Sequence, residues 1–315
     1  MATLSLGRRV VKGSADDGDE TDVMTEIGTA ERDRRPPGDR LAALLARPGI
    51  VQAPGAHDAL SGLLARRAGF EALYLSGAAL SAGLGLPDIG LTTLDELTGA
   101  TRALFRATDL PVIVDADTGF GGAIAVMRAV RDLEAAGAAA VQIEDQVADK
   151  RCGHLDGKEL ISADDMAAKV AAACQARASV RIVARTDAVA DGLDAVIARA
   201  RRYVEAGADI IFADALRFED DFRAVAEAVD VPVLANMTEF GKTPAISAQR
   251  FEELGIRIVI WPASSLRVAA HATEDLYAHI RETGGTEGLQ NRMQTRAELY
   301  DTIGYDAYAA IEGGE

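Results

Sequence analysis

The chain has 315 residues, 49% hydrophobic and only 5% aromatic, with a formal net charge of −16. That length and apolar content allow one large domain or two small ones, and the acid excess offers no basic footprint for nucleic acid. With no run of eighteen apolar residues and no apolar leader, the sequence predicts a cytoplasmic protein that neither spans nor binds a membrane. A local arginine cluster can still override the global charge and take an anionic small molecule. Basic residues are mostly Arg, since Lys occurs only at 12, 150, 158, 169 and 242. Two cysteines, Cys152 and Cys174, make no disulfide framework.

Residues 1–38 are polar, with acidic and basic clusters and Pro36-Pro37, and are expected to be a disordered tail. Beyond them, short apolar runs recur at Gly49–Ala53, Ala72–Leu75, Val112–Val114, Ala140–Ile143, Arg181–Ala184, Ile210–Phe212, Val231–Leu234 and Ile256–Ile260. Continuous rather than alternating apolar character marks strands covered on both faces. Between them, Ala123–Ala136, Leu193–Ala206 and Phe222–Val229 show helical spacing, and Gly137, Gly207 and Gly255 stand where helices end. Cys174 falls in an Ala-rich helical stretch as a small core residue. Eight strand–helix units in series predict a (β/α)8 barrel over 39–285. An open doubly wound sheet is the alternative, but no Gly-x-Gly-x-x-Gly follows the first strand. Residues 286–315 read as a C-terminal helical extension.

Polar residues gather where the strands end. Ser76-Gly77-Ala78 follows strand 2, Asp115-Ala116-Asp117 strand 3 and Glu144-Asp145-Gln146 strand 4. Arg185-Thr186-Asp187 ends strand 5, Asp214 follows strand 6, Asn236 to Glu239 strand 7, and Trp261 to Ser264 strand 8, with Arg267 shortly after. In a barrel these ends meet at one face, where active sites form. Thr186 or Asp187 also suits a helix N-cap. Asp115 and Asp117, flanking a single Ala, would repel each other without a cation. With Glu144 they form an oxygen-rich set that favours Mg²⁺, or alternatively Mn²⁺, over Zn²⁺. In Lys150-Arg-Cys-Gly-His154 the thiol of Cys152 sits beside two cations and a His, which suits a thiolate or a poised acid. Arg185, Arg267 and Arg296 are bidentate carboxylate binders if they face the cavity.

These residues resemble the isocitrate lyase and phosphoenolpyruvate mutase superfamily, and within it the methylisocitrate lyase family. The resemblance runs from about Ala42 to Tyr308 and is carried by Tyr74-Leu-Ser-Gly, Leu86-Pro-Asp-Ile-Gly, Val114-Asp-Ala-Asp-Thr-Gly-Phe-Gly and Ile143-Glu-Asp-Gln. Lys150-Arg-Cys-Gly-His, Ala184-Arg-Thr-Asp-Ala, Leu234-Ala-Asn-Met-Thr-Glu-Phe-Gly and Met293-Gln-Thr-Arg complete it. It implies a TIM-type barrel whose last helix is exchanged between subunits of a homotetramer. The implied activity is Mg²⁺-dependent, retro-aldol/Claisen-type cleavage of 2-methylisocitrate, a small tricarboxylate, to pyruvate and succinate. In that scheme Asp115 and Asp117 hold the metal with Glu144 assisting, and Cys152 is the acid, with Gly153 and His154 beside it. Tyr74 is a proton-transfer partner. Ser76, Gly77 and Ala78 bind substrate oxygens near Asp88, and Arg185, Asn236, Thr238, Arg267 and Arg296 grip carboxylates, with Asp214 at their side.

Two departures from the family pattern stand out. Phe212-Ala-Asp-Ala replaces Phe-Pro-Glu-Ala, so Asp214 is one methylene short, and the loop continues Leu-Asp-Gly-Lys rather than Arg-Pro-Asn-Lys. Alternative substrates are isocitrate, giving glyoxylate and succinate, and another branched 2-hydroxy acid such as 2,3-dimethylmalate. Phosphonate mutases and oxaloacetate decarboxylases of the superfamily generally lack the Cys-Gly-His loop.

Overall fold

In the computed structural model, which describes residues 33–151 and 157–312, each apolar run forms a strand. They are β1 Val51–Pro54, β2 Leu73–Leu75, β3 Val112–Asp115, β4 Ala138–Glu144, β5 Arg181–Thr186, β6 Ile210–Ala213, β7 Val233–Asn236 and β8 Ile258–Trp261. The helices between them are α1 Pro37–Ala46, α2 Ala59–Arg67, α3 Gly77–Gly83, α4 Leu94–Thr108, α5 Ala123–Ala136, α6 Ala163–Ala176, α7 Leu193–Glu205, α8 Glu219–Ala228 and α9 Ala248–Glu253. After β8 comes α10, Ser264–Thr283. Every ladder is parallel, β2 to β8 pair in chain order, and β8 pairs back to β1. A bridge between Gly55 and Tyr74, with the Ala56 N–H donating to Tyr74 O at 3.0 Å, closes the seam between β1 and β2. This is a (β/α)8 barrel, and the open sheet is excluded.

Side chains of a strand alternate between its faces, and closure turns that alternation into two cores. Inside the barrel lie Val51, Tyr74, Ile113, Val183, Phe212, Leu234 and Ile260. The intervening residues, among them Leu73, Val114, Val141, Ile182, Ile211, Val233 and Val259, pack outward against the helices. The sequence therefore shows continuous apolar runs, because both faces are covered.

Helix α1 plugs the N-terminal end of the barrel: Leu41, fully buried, joins the inner core. The helix approaches so closely that a Cβ on Gly38 would lie 2.9 Å from the Ser179 carbonyl region's neighbour, Val180 Cα, so only glycine fits. Of the segment read as tail, residues 1–32 lie outside the described residues, and Pro37 and Gly38 already belong to α1. Residues 34–295 form one compact unit. Helix α10 departs from its siblings, since none of its twenty residues is buried. Residues 296–315 belong to a second unit, in which two short helices, α11 Arg296–Thr302 and α12 Tyr305–Glu312, replace the longer helical run expected there. Cys174 is partly buried and its thiol donates to Gly207 O at 3.1 Å.

The turn between α6 and β5 is held from α5. The Glu134 carboxylate accepts the backbone N–H groups of Ala178 at 2.8 Å, Ser179 at 2.5 Å and Val180 at 2.8 Å, and the Ser179 hydroxyl at 2.8 Å. Burial raises the Glu134 pKa, but these hydrogen bonds together outweigh it and hold the group below the ordinary glutamate value. Glu134→Ala is expected to destabilise the fold by roughly 1–3 kcal/mol in urea unfolding at neutral pH. A depressed folded-state pKa stabilises above the unfolded value. The gap between wild type and variant should thus persist at neutral pH and close as the pH falls through the glutamate range.

Candidate active site

Polar residues take over the inner-face positions at the C-terminal ends of the strands. On β3 the inward series is Ile113, Asp115; on β4, Gln142 then Glu144; on β5, Val183 then Arg185; on β7, Leu234 then Asn236. The same parity carries Phe212 to Asp214 beyond β6. These residues open into a cavity of about 270 Å³ lined by Tyr74, Ser76, Ala78, Asp88, Asp115, Glu144, Lys150, Arg185, Phe212, Asp214, Asn236, Thr238 and Arg267. Four non-glycine residues near it, Asp117, Phe120, Ala215 and Phe240, have φ between 49° and 61°. Such left-handed backbone costs on the order of 1–3 kcal/mol per residue and gathers where function demands it.

One side of the cavity is acidic. Asp115 and Asp117 converge on Gly77, where an added Cβ would lie 2.9 Å from Asp117 Oδ1 and 3.3 Å from Asp115 Oδ2. Asp115 Oδ2 accepts from the Gly77 N–H at 3.2 Å, and Asp115 Oδ1 from Gln142 Nε2 at 2.9 Å and the Asp117 N–H at 3.2 Å. The Lys150 ammonium stands 2.5 Å from both Asp88 Oδ1 and Asp117 Oδ1. Burial, reinforced by the charge of Asp115, pushes the Asp117 carboxyl up to about 6 despite Lys150. For Lys150, burial acts downward but Glu144, Asp117, Asp115 and Asp88 together hold its pKa above the ordinary value.

These residues fit a hard divalent cation. Asp117 Oδ1 is buried, with the Lys150 ammonium as its ion-pair partner, and it faces the same point as Asp115 Oδ2. Among the described residues no three acidic, His or Cys side chains could by themselves enclose a metal.

Across the cavity, Arg185 is surrounded by acids. Its Nε and NH2 donate to the Asp187 carboxylate at 2.9 and 3.0 Å, NH2 also to Asp214 Oδ2 at 2.8 Å, and NH1 lies 3.4 Å from Glu144 Oε2. Burial works against the guanidinium, but Asp187, Asp214 and Glu144 keep it firmly charged. Burial raises the Glu144 pKa although Arg185 opposes it. Asn236 Nδ2 donates to Asp214 Oδ1 at 3.1 Å, so the shorter carboxylate is braced on both sides. At the rim, Arg267 NH1 donates to Thr238 Oγ1 at 3.1 Å and Glu239 Oε2 at 2.9 Å, leaving the guanidinium half-exposed.

Most of the residues expected from the sequence therefore meet in one place. Ser76 lines the cavity while its hydroxyl caps α3, and Gly77 spends its N–H on Asp115 rather than facing outward. Tyr74 donates to Gln142 Oε1 at 2.7 Å, and burial and then Asp115 raise its pKa well above a phenol's ordinary value, so it keeps its proton. Cys152, Gly153 and His154 lie outside the described residues. Arg296 opens α11 in the second unit. One residue escaped the sequence reading, and two that it named have contacts it did not foresee. Gln142 joins Tyr74 to Asp115, and its signal was a lone amide inside an otherwise apolar run, Ala138 to Ile143. Lys150 was read for the thiol beside it, yet its contacts are carboxylates. Gln146 clamps the Arg151 backbone, accepting its N–H at 3.0 Å and donating to its carbonyl at 2.9 Å, while also donating to Glu144 at 3.1 Å.

The family model described as phosphoenolpyruvate phosphomutase matches residues 41–281. A 2-methylisocitrate lyase of Bacillus subtilis is 52% identical over 275 residues, covering 87% of this chain and 91% of that protein. A crystal structure of 2,3-dimethylmalate lyase superposes with a TM-score of 0.83 at 36% identity, over 89% of this chain and 95% of that one. A phosphonopyruvate hydrolase in complex with oxalate and Mg²⁺ gives 0.80 at 30% identity, over 89% and 99%. The chain belongs to the phosphoenolpyruvate phosphomutase family.

Gln142→Leu leaves the buried Tyr74 hydroxyl without an acceptor and removes one of the two hydrogen bonds to Asp115 Oδ1. It is expected to cost roughly 1–3 kcal/mol of stability. In a double-mutant cycle, adding Tyr74→Phe should recover part of that loss, and simple additivity would show that the two side chains are not coupled.

Proposed function

We propose that the chain is a magnesium-dependent carbon–carbon lyase that splits 2-methylisocitrate into pyruvate and succinate, working in the cytoplasm as a homotetramer. One observation carries the reading: Asp115 and Glu144 share a single cavity with Arg185, Asn236, Thr238 and Arg267. An acidic wall able to hold a hard cation thus faces donors suited to carboxylates. The similarity to 2-methylisocitrate lyase adds to it.

Asp115, with Asp117 and Glu144 assisting, would hold Mg²⁺, which when bound polarises a substrate hydroxyl and carboxylate. Arg185 and Asn236, with Thr238 and Arg267, orient the carboxylates, the planar guanidinium matching each in bidentate fashion. Loss of the hydroxyl proton turns that carbon into the ketone of pyruvate as the C–C bond breaks. The electron pair passes to the succinate fragment, and Cys152 supplies the proton that carbon needs, with His154 beside it. Tyr74, held protonated, offers its oxygen as a hydrogen-bond acceptor at the cavity wall. Dimethylmalate is the second reading, favoured by the fold match to 2,3-dimethylmalate lyase and left open by Asp214, one methylene shorter than the family's Glu.

Exchange of α10 between subunits accounts for a twenty-residue helix with no buried side chain and with Val268 and Tyr277 exposed. Apolar faces of that kind mark interaction surfaces.

Turnover of 2-methylisocitrate, isocitrate and 2,3-dimethylmalate with Mg²⁺, with products identified by mass spectrometry, tests the chemistry. Pyruvate from 2-methylisocitrate should form with the largest kcat/KM, and Cys152→Ala should lower kcat by at least about 100-fold. Glyoxylate formed faster from isocitrate would refute the methylisocitrate reading. Light scattering should give about 132 kDa, four times the 33.1 kDa chain, and Tyr277→Glu with Val268→Glu should lower that mass; a 33 kDa wild type would end the tetramer proposal.

A further inference from the structure

Glu144 ends β4 and Asp145 follows it directly, and the alternation of the strand sends their side chains to opposite faces. Glu144 enters the cavity. Asp145, wholly buried, lines none of it and points at α7, where no chemistry takes place. A buried carboxylate is costly unless its oxygens are satisfied, and those of Asp145 are. Oδ2 accepts the Tyr203 hydroxyl at 2.7 Å and Arg199 NH1 at 3.0 Å. Oδ1 accepts the backbone N–H of Asp187 at 2.9 Å.

That last contact reaches the site. Asp187 holds Arg185 through two hydrogen bonds of 2.9 and 3.0 Å, so its carboxylate directs the guanidinium, and the place of that carboxylate follows its own backbone. The main chain repeats the link, because the Asp145 N–H donates to Arg185 O at 3.2 Å. Arg199 NH1 also braces Tyr203 Oη at 3.0 Å, and Arg199 NH2 donates to Ile161 O at 3.0 Å, so the anchor is fastened to α7 and to the chain beyond residue 157. A continuous series of hydrogen bonds runs from α7 through Asp145 and Asp187 to Arg185.

We infer that Asp145, backed by Tyr203 and Arg199, is a positioning residue. From the outer face of the barrel it fixes the end of β5 so that Arg185 presents its guanidinium to a substrate carboxylate. This rests on Arg185 as the carboxylate binder proposed above. A purely structural ion pair would affect stability alone, whereas a positioning role appears in carboxylate affinity and vanishes once Arg185 can no longer make its forked contact.

The test measures oxalate affinity of the full-length protein by calorimetry in Mg²⁺, beside steady-state kinetics. Asp145→Asn keeps the shape but turns an N–H donor toward Tyr203 and Arg199. It is expected to weaken oxalate binding about tenfold and to raise KM by a similar factor, with kcat changed less than about threefold, since small misplacements of an orienting group are costly. Tyr203→Phe should weaken binding about threefold. In an Arg185→Lys background each change should cost less than about twofold, because groups acting as one unit are not additive. An oxalate Kd for Asp145→Asn within twofold of wild type, or losses that multiply in the double mutant, overturns the inference. Should Asp145→Asn fail to fold, Tyr203→Phe in the same cycle decides by the same criteria. Wild type that binds no oxalate overturns the carboxylate-binding reading and this inference together. Wild type that binds it while both variants match wild type overturns this inference alone.

Discussion

Arg185 is the charge on which the floor of the barrel mouth depends. Glu144, Asp187 and Asp214 are almost fully buried, and each lies within 3.4 Å of its guanidinium. Three carboxylates in such a space repel one another; one delocalised cation with a fixed fork of donors offsets that repulsion. The acids in turn hold the fork in place, with one edge fixed by Asp187. The opposite wall solves the same problem differently. There Asp88 and Asp117 share the compact ammonium of Lys150, a point charge without directional fork. The first arrangement is rigid, whereas the second brings oxygens of Asp115 and Asp117 to one point beside Gly77.

Much of this was legible in the sequence because barrel geometry is simple. Eight apolar runs with polar tips imply eight strands with their business ends at one face, and the helix read over Ala123–Ala136 has those bounds. Strand limits moved by at most two residues, since apolar character continues into the flanking turns: Ile256 is buried yet precedes β8. The residues facing the cavity follow from parity alone once one of them is placed. Asp115, Glu144, Arg185, Asp214 and Asn236 all sit two residues beyond an inner-core side chain or continue such a series.

What the sequence hid were contacts between side chains far apart in the chain. Gln142 reads as a misfit in a hydrophobic strand until Tyr74, sixty-eight residues earlier, is seen to donate to it. Lys150 looked like an activator of its neighbour Cys152, because adjacency in sequence was the only adjacency visible. Gly77 looked like a donor to substrate, but its N–H goes to Asp115, which a linear reading cannot show. The C-terminal stretch read as helical without showing where its helices break, and Gly304 at φ 70° separates α11 from α12.

The alternation of Glu144 and Asp145 has a consequence for how such a barrel can change over generations. Inner-face residues such as Asp214 meet whatever occupies the cavity, while outer-face residues such as Asp145 meet the helical shell and the backbone behind the site. A substitution at a cavity-lining position such as Asp214 leaves that outer anchor where it was. Two successive codons can therefore drift under unrelated pressures, so that a new substrate can be explored from within while the scaffold that aims the arginine is inherited intact.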